Sequence, residues 1–135
     1  MSEKLAQLEK KGSGELKETV LWTNPSPNAD YANATVTLSQ SIQNFDFVKI
    51  YYKGIKTSTT ERSVIFPKET WNSATRTAHA PWLSINCRNG SGSTPYVRGI
   101  IPETSNTVLF DTAHNIVDGS TTNTIVIPLR ICGLK

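Results

Sequence analysis

The chain has 135 residues, 37% of them hydrophobic and 19% charged, with a formal net charge of +3. That length fits one ordinary domain with one core, and the low apolar and charged fractions, made up by Ser, Thr, Asn and Gly, suit an all-β protein with many loops. Lys4, Lys10, Lys11 and Lys17 crowd the start and the other basic residues are scattered, leaving no patch or stripe for nucleic acid; no apolar run approaches the ~18 residues that cross a bilayer, so no membrane insertion is expected, and the opening residues are too charged for a signal peptide.

The opening MSEKLAQLEKK sets Met1, Leu5 and Leu8 at steps of four and three, the a/d spacing of a coiled coil. The stripe ends at Gly12-Ser13-Gly14, a helix terminator and flexible joint. The chain therefore divides into 1–11, a short helical stalk end or tail, 12–14, a joint, and 15–135, the main domain. So short a helix is marginal alone. It is expected either as one end of a bundle in which Met1, Leu5 and Leu8 meet neighbouring copies, or as a disordered tail or linker.

From Glu15 onward every periodic segment reads as strand. Ala34, Val36 and Leu38 alternate with Thr35, Thr37 and Ser39; Val48, Ile50 and Tyr52 with Phe47, Lys49 and Tyr51; Leu83, Ile85 and Cys87 with Trp82, Ser84 and Asn86. The run 125–132 alternates likewise, and shorter runs at 19–22, 63–66, 96–101 and 107–110 bring the expectation to about eight strands. Turn clusters at 24–28, 89–93 and 118–120 separate them. Short antiparallel strands at this spacing predict a β-sandwich of jelly-roll type. Pro128, inside the last strand, predicts a sheet edge or a bulge there. Three connections are long for so small a domain, 68–81, 88–95 and 111–123, and long polar loops on a rigid scaffold are where binding usually sits.

Cys87 and Cys132 are far apart and belong to no Cys-x-x-Cys or Cys/His spacing. Both fall in apolar strand runs, where a free thiol behaves as a small buried hydrophobe. A soluble product made in a reducing cytoplasm is expected.

The segments ETVLWTNPSP, ATVTLS and FDFVKIYYK, followed by the closing TIVIPLRICGLK, resemble the C-terminal domain of tail-fibre, baseplate and head-fibre surface proteins of tailed bacteriophages. The matching positions, 19–27, 34–39, 47–53 and 123–135, cover less than half the chain but bracket the domain. The middle, with all three long connections, matches nothing in that pattern. The resemblance implies a homotrimeric virion appendage, assembled in the host bacterial cytoplasm and joined to other virion proteins through its N-terminus. It also implies contact with a host-surface carbohydrate. Because head fibres carry similar modules, tail and capsid attachment both stay open, as does a structural or decorative protein without a ligand of its own.

Sugar binding needs a flat apolar face to stack on a pyranose ring and a few polar groups to satisfy its hydroxyls. The first long connection offers Trp71, Asn72, Arg76 and His79, with Trp82 at its exit, and Arg88 anchors the second. Trp71, Asn72, Arg76, His79 and Arg88 are the expected ligand contacts. For Trp71 the competing expectation is that it caps one open end of the core. Trp82 is expected to face solvent or a neighbouring subunit, and Trp22, beside the matched motif, to be structural. The glycines of 89–93 do not open a helix, which argues against a phosphate cradle. Asp111, His114, Asn115 and Asp118 have neither EF-hand nor zinc spacing and are expected to form Asx turns. No metal or cofactor is expected. Without a Gly-x-Ser-x-Gly elbow, and with nothing in the sequence that couples Glu61, Glu69 and Glu103, near strand ends, into a catalytic carboxylate pair, no catalysis is expected either.

Overall fold

The computed structural model describes residues 16–71, 83–88 and 95–135. The 1–11 segment with its Met1-Leu5-Leu8 stripe, and the 12–14 joint, lie outside the described residues. The strands are β1 (Glu18–Thr23), β2 (Ala34–Thr37), β3 (Phe47–Ile55), β4 (Arg62–Pro67), β5 (Leu83–Arg88), β6 (Pro95–Thr104), β7 (Thr107–Phe110), β8 (Ala113–Asn115), β9 (Thr121–Thr122) and β10 (Ile125–Leu134). Each of the eight runs read from alternation is present. The connection 111–123, expected as an irregular loop, instead contributes β8 and β9, too short and too polar to announce themselves by periodicity.

The strands are antiparallel and fall into two sheets. One has the order β1-β10-β3-β4; the other runs β2-β7-β6-β8-β9. Tyr96 faces Cys87 of β5 across one edge of β6 and Asn115 of β8 across the other. Ile100 likewise lies between Leu83 of β5 and Phe110 of β7. Thus β7 and β8 share one edge of β6, and β5 covers the opposite edge.

The alternation decides what is buried. Val48 and Ile50 from the first sheet meet Leu83, Ile85, Ile100, Val108 and Phe110 from the second in one hydrophobic cluster. Burying each such side chain is worth ~1.5–3 kcal/mol relative to leaving it in water. The alternate residues of β3, Lys49 and Tyr51, form a polar ladder on the outer face. There Tyr51 donates from its hydroxyl to Glu18 at 2.7 Å, while the Arg130 guanidinium lies 3.8 Å from the Tyr51 ring centroid. The ring of Phe45, just before β3, packs over Gly133 and leaves no room for even a methyl: a Cβ there would meet the ring at contact distances no real atoms show.

Pro128 sits at a bulge. The partners shift from Pro128 with Tyr52 to Arg130 with Tyr51, leaving Leu129 as the extra residue. The strand is interior, between β1 and β3, so of the two expectations for this proline the bulge holds and the edge does not. The displaced carbonyls still need donors, and Asn24 supplies both. Its backbone N–H donates to the Leu129 carbonyl at 2.8 Å and its side-chain amide to the Pro128 carbonyl at 2.8 Å. Its Oδ1 in turn accepts from the Ser26 N–H at 2.8 Å. The Trp22-Thr23-Asn24-Pro25 run is thereby explained structurally: Trp22 packs on Phe110 and Tyr31, and Asn24 clips the turn to the closing strand.

Cys87 and Cys132 are free and buried. Burial holds the Cys132 thiol up at about 11 and pushes Cys87 up as well. Native protein is therefore expected to leave both unlabelled by a disulfide-exchange reagent over minutes and to react fully in denaturant; rapid native labelling of both would refute their burial. The pH dependence has a definite sign. An unfolded chain ionises Cys132 near 9.0 while the folded one holds its proton to about 11. The thiol's contribution is thus complete below the lower value and lost as pH rises through the upper, so alkaline melting should be blunted in Cys132→Ala.

Candidate functional site

Where β3 turns into β4, the loop that follows Ile55 opens a groove of ≈ 490 Å³ lined by Gly54, Ile55, Thr57, Ser58, Thr59, Thr60, Arg62 and Arg88. The loop is pinned from within: the Ser58 N–H donates to the Ile55 carbonyl at 3.0 Å and the Thr60 N–H to the Ser58 hydroxyl at 3.2 Å. Four consecutive hydroxyl-bearing residues therefore stand in a defined conformation beside two exposed guanidinium groups. Arg62 comes from the first residue of β4 and Arg88 from the last of β5, one from each sheet. Both arginines line the same groove.

The strand ends around this groove are held by a group that sequence reading passed over. Arg98, in β6, is wholly buried. It faces Ile85 of β5 and shares its inward face with Ile100, a position where alternation calls for an apolar side chain. Its Nε donates to the Val126 carbonyl at 2.7 Å, Nη1 to Asp111 at 2.7 Å, and Nη2 to Tyr31 at 2.9 Å and Ile125 at 3.2 Å, all backbone oxygens. The guanidinium also lies 5.1 Å from the Tyr31 ring centroid. Burial pulls its pKa down to about 10, and the neighbouring Tyr31 and Asp111 work against that fall, so the group is charged at neutral pH. Val126, one of the residues it grips, has φ of 59°, the left-handed region that a β-branched side chain strongly resists. Ile125 in turn pairs with Ile55 of the groove. A single cation thus ties β6 to the start of β10, to the 24–33 segment and to the β7–β8 junction. The available signal was the arginine in an inward register between Tyr96 and Ile100.

The expected ligand contacts separate. Trp71 is 6% exposed, belongs to the core cluster and donates from its indole N–H to the Thr104 carbonyl at 3.3 Å. That is the core-capping placement, and it leaves no ring face open for stacking. Arg88 pairs with Pro95, at the other end of β6 from Thr104. Nine residue steps of strand are about 30 Å, so Trp71 and Arg88 do not share a site. Asn72, Arg76, His79 and Trp82 lie outside the described residues.

In the third connection, Asn115 and Asp118 do form Asx turns. The Asn115 side-chain oxygen accepts from the Val117 N–H at 2.8 Å, and that of Asp118 from the Ser120 N–H at 2.9 Å. Asp111 caps its immediate neighbour, accepting from the Thr112 N–H at 2.8 Å. Among the described residues no group of three or more His, Cys, Asp or Glu side chains could hold a metal ion. Glu61, the carboxylate nearest the groove in sequence, is bound in a fork by Arg130 at 2.9 and 3.3 Å, and that contact holds its pKa below the ordinary carboxylate value. Compared with known proteins, the chain matches no family model and no curated sequence.

Proposed function

We propose that this chain is a non-catalytic attachment domain of a phage virion surface protein, of tail-fibre or receptor-binding type, that holds a host-surface glycan in the groove between the β3–β4 loop and Arg88. The observation that carries it is the convergence of Arg62, Arg88 and the hydroxyl-bearing residues 57–60 on one open surface. Donors and acceptors in this density suit a hydroxylated ligand, which loses affinity wherever one of its polar groups is left unpaired. The rigid scaffold supports the reading too: a jelly-roll-like sandwich in which the first strand pairs with the last and the second with β7, although the β3–β4 hairpin stays within one sheet.

Labelled protein should adhere to permissive host cells, and the Arg62→Gln/Arg88→Gln double variant should adhere at least about tenfold less with an unchanged melting temperature. Adhesion to no permissive host would overturn the reading in favour of a structural or decorative virion protein. The virion role also implies a homotrimer, with Met1, Leu5 and Leu8 in the subunit contact. Sedimentation equilibrium at micromolar concentration is expected to return three times the 14.9 kDa chain mass; a monomer would reject the trimer and with it the stalk role of that stripe.

A further inference from the structure

Resting on the glycan reading above, we infer that the groove selects a sugar bearing a methyl group, that of an acetamido or a 6-deoxy substituent, and that Ile55 is the residue that reads it. Of the described residues that line the groove, Ile55 alone has a wholly hydrocarbon side chain, and none is aromatic. It closes β3 and keeps 42% of its surface exposed. An aliphatic group left open to water among hydroxyls is stabilised by being covered, and the cover must itself be apolar.

The shape of the side chain limits what can cover it. The face of a pyranose ring stacks on a flat aromatic surface, whereas the branched end of an isoleucine is small and convex and matches a methyl. The hydroxyls of 57–60 serve the polar atoms beside that methyl, which are ring hydroxyls or an amide. Ile55 is also held in place. It faces Ile125 across the strand pair, and Ile125 packs against the core. The Ile55 carbonyl accepts from the Ser58 N–H at 3.0 Å, and the next carbonyl, that of Lys56, accepts from the Lys53 ammonium at 2.8 Å. A β-branched side chain on a backbone held at both points has little rotamer freedom to lose when a ligand covers it. The contact requires no charge on the sugar.

The test compares pairs of sugars that differ at the methyl: N-acetylglucosamine with N-formylglucosamine, N-acetylgalactosamine with its N-formyl counterpart, L-fucose with L-galactose, and L-rhamnose with L-mannose. Each is displayed on the same polymer backbone and titrated calorimetrically with the full chain. In at least one pair the methyl-bearing sugar is expected to bind at least about fourfold more tightly, the effect of burying one methyl. An amide pair showing the difference identifies an acetamido sugar, and a deoxy pair a 6-deoxy sugar. Ile55→Thr keeps the β-branch and should erase the difference without changing the melting temperature, while Ile55→Val should keep most of it. Val117→Thr alters an aliphatic side chain that is 81% exposed and does not line the groove, and should leave the difference in place. A difference that survives Ile55→Thr, or that falls equally in Val117→Thr, would overturn the inference, because the methyl would then not be read by Ile55. Equal affinity within every pair, or none for any sugar, in a chain that still adheres to host cells through Arg62 and Arg88, would overturn the methyl selectivity alone. Adhesion to no permissive host would remove the glycan reading on which it rests.

Discussion

Replacing Arg98 with Met is expected to lower the stability of the domain by about 4 kcal/mol or more. Met fills most of the volume, so a cavity contributes little. The loss comes from the bonds to four backbone carbonyls, that to Val126 fully buried and those to Asp111, Tyr31 and Ile125 partly buried. Each orphaned acceptor costs ~1–3 kcal/mol, less than additively because they share one partner. Arg98→Lys should recover only part of the loss, since a single ammonium cannot reach acceptors spread around a planar fork. Chemical denaturation of the three proteins decides the matter. A loss under about 1 kcal/mol for Arg98→Met would mean that water satisfies these carbonyls and that Arg98 does not hold Val126 in its unfavourable conformation. Because Ile125 and Val126 lead directly into the strand pair that borders the groove, the same substitution should also weaken ligand binding, an effect absent from destabilising changes at the far end of β3.

Trp71→Ala is expected to cost about 3–5 kcal/mol of fold stability, because the side chain is 6% exposed and packed in the core cluster. Trp71→Phe keeps most of the apolar burial and loses the bond to the Thr104 carbonyl, so it should cost less, near the ~1 kcal/mol of one net hydrogen bond plus a small packing defect. Adhesion per folded molecule should be unchanged in both variants. Should Trp71→Ala abolish adhesion while the melting temperature stays put, the ring would be a ligand contact after all, and the groove at Arg88 would lose its standing as the principal site.

These two residues also mark how far the sequence could be read. Alternation located all eight of the longer strands because a strand half-buried on one face writes its burial into every second residue, and that pattern is local. Asn115 and Asp118 were legible as turn formers for the same reason: an Asx turn is closed within a few residues of its own side chain. Cys87 and Cys132 could be read as buried from the strand runs that contain them.

What the sequence left open is whatever depends on residues distant in the chain. Pro128 permitted an edge or a bulge, and the interior position of β10 between β1 and β3, a pairing across more than half of the molecule, decided for the bulge. Trp71 and Arg88 are separated by seventeen positions and look like neighbours around one set of loops; the length of β6 puts them at opposite ends. Arg62 attracted no notice in a short strand, and it acquires a role only because the start of β4 and the end of β5, in different sheets, line one groove. Arg98 broke the apolar pattern of its own strand, yet its acceptors come from four separate positions between Tyr31 and Val126. Local periodicity thus determined the strands and their faces, while the placement of the cations and the groove they line was decided by tertiary pairing, since the energy of burying a charge depends on which distant carbonyls fold around it.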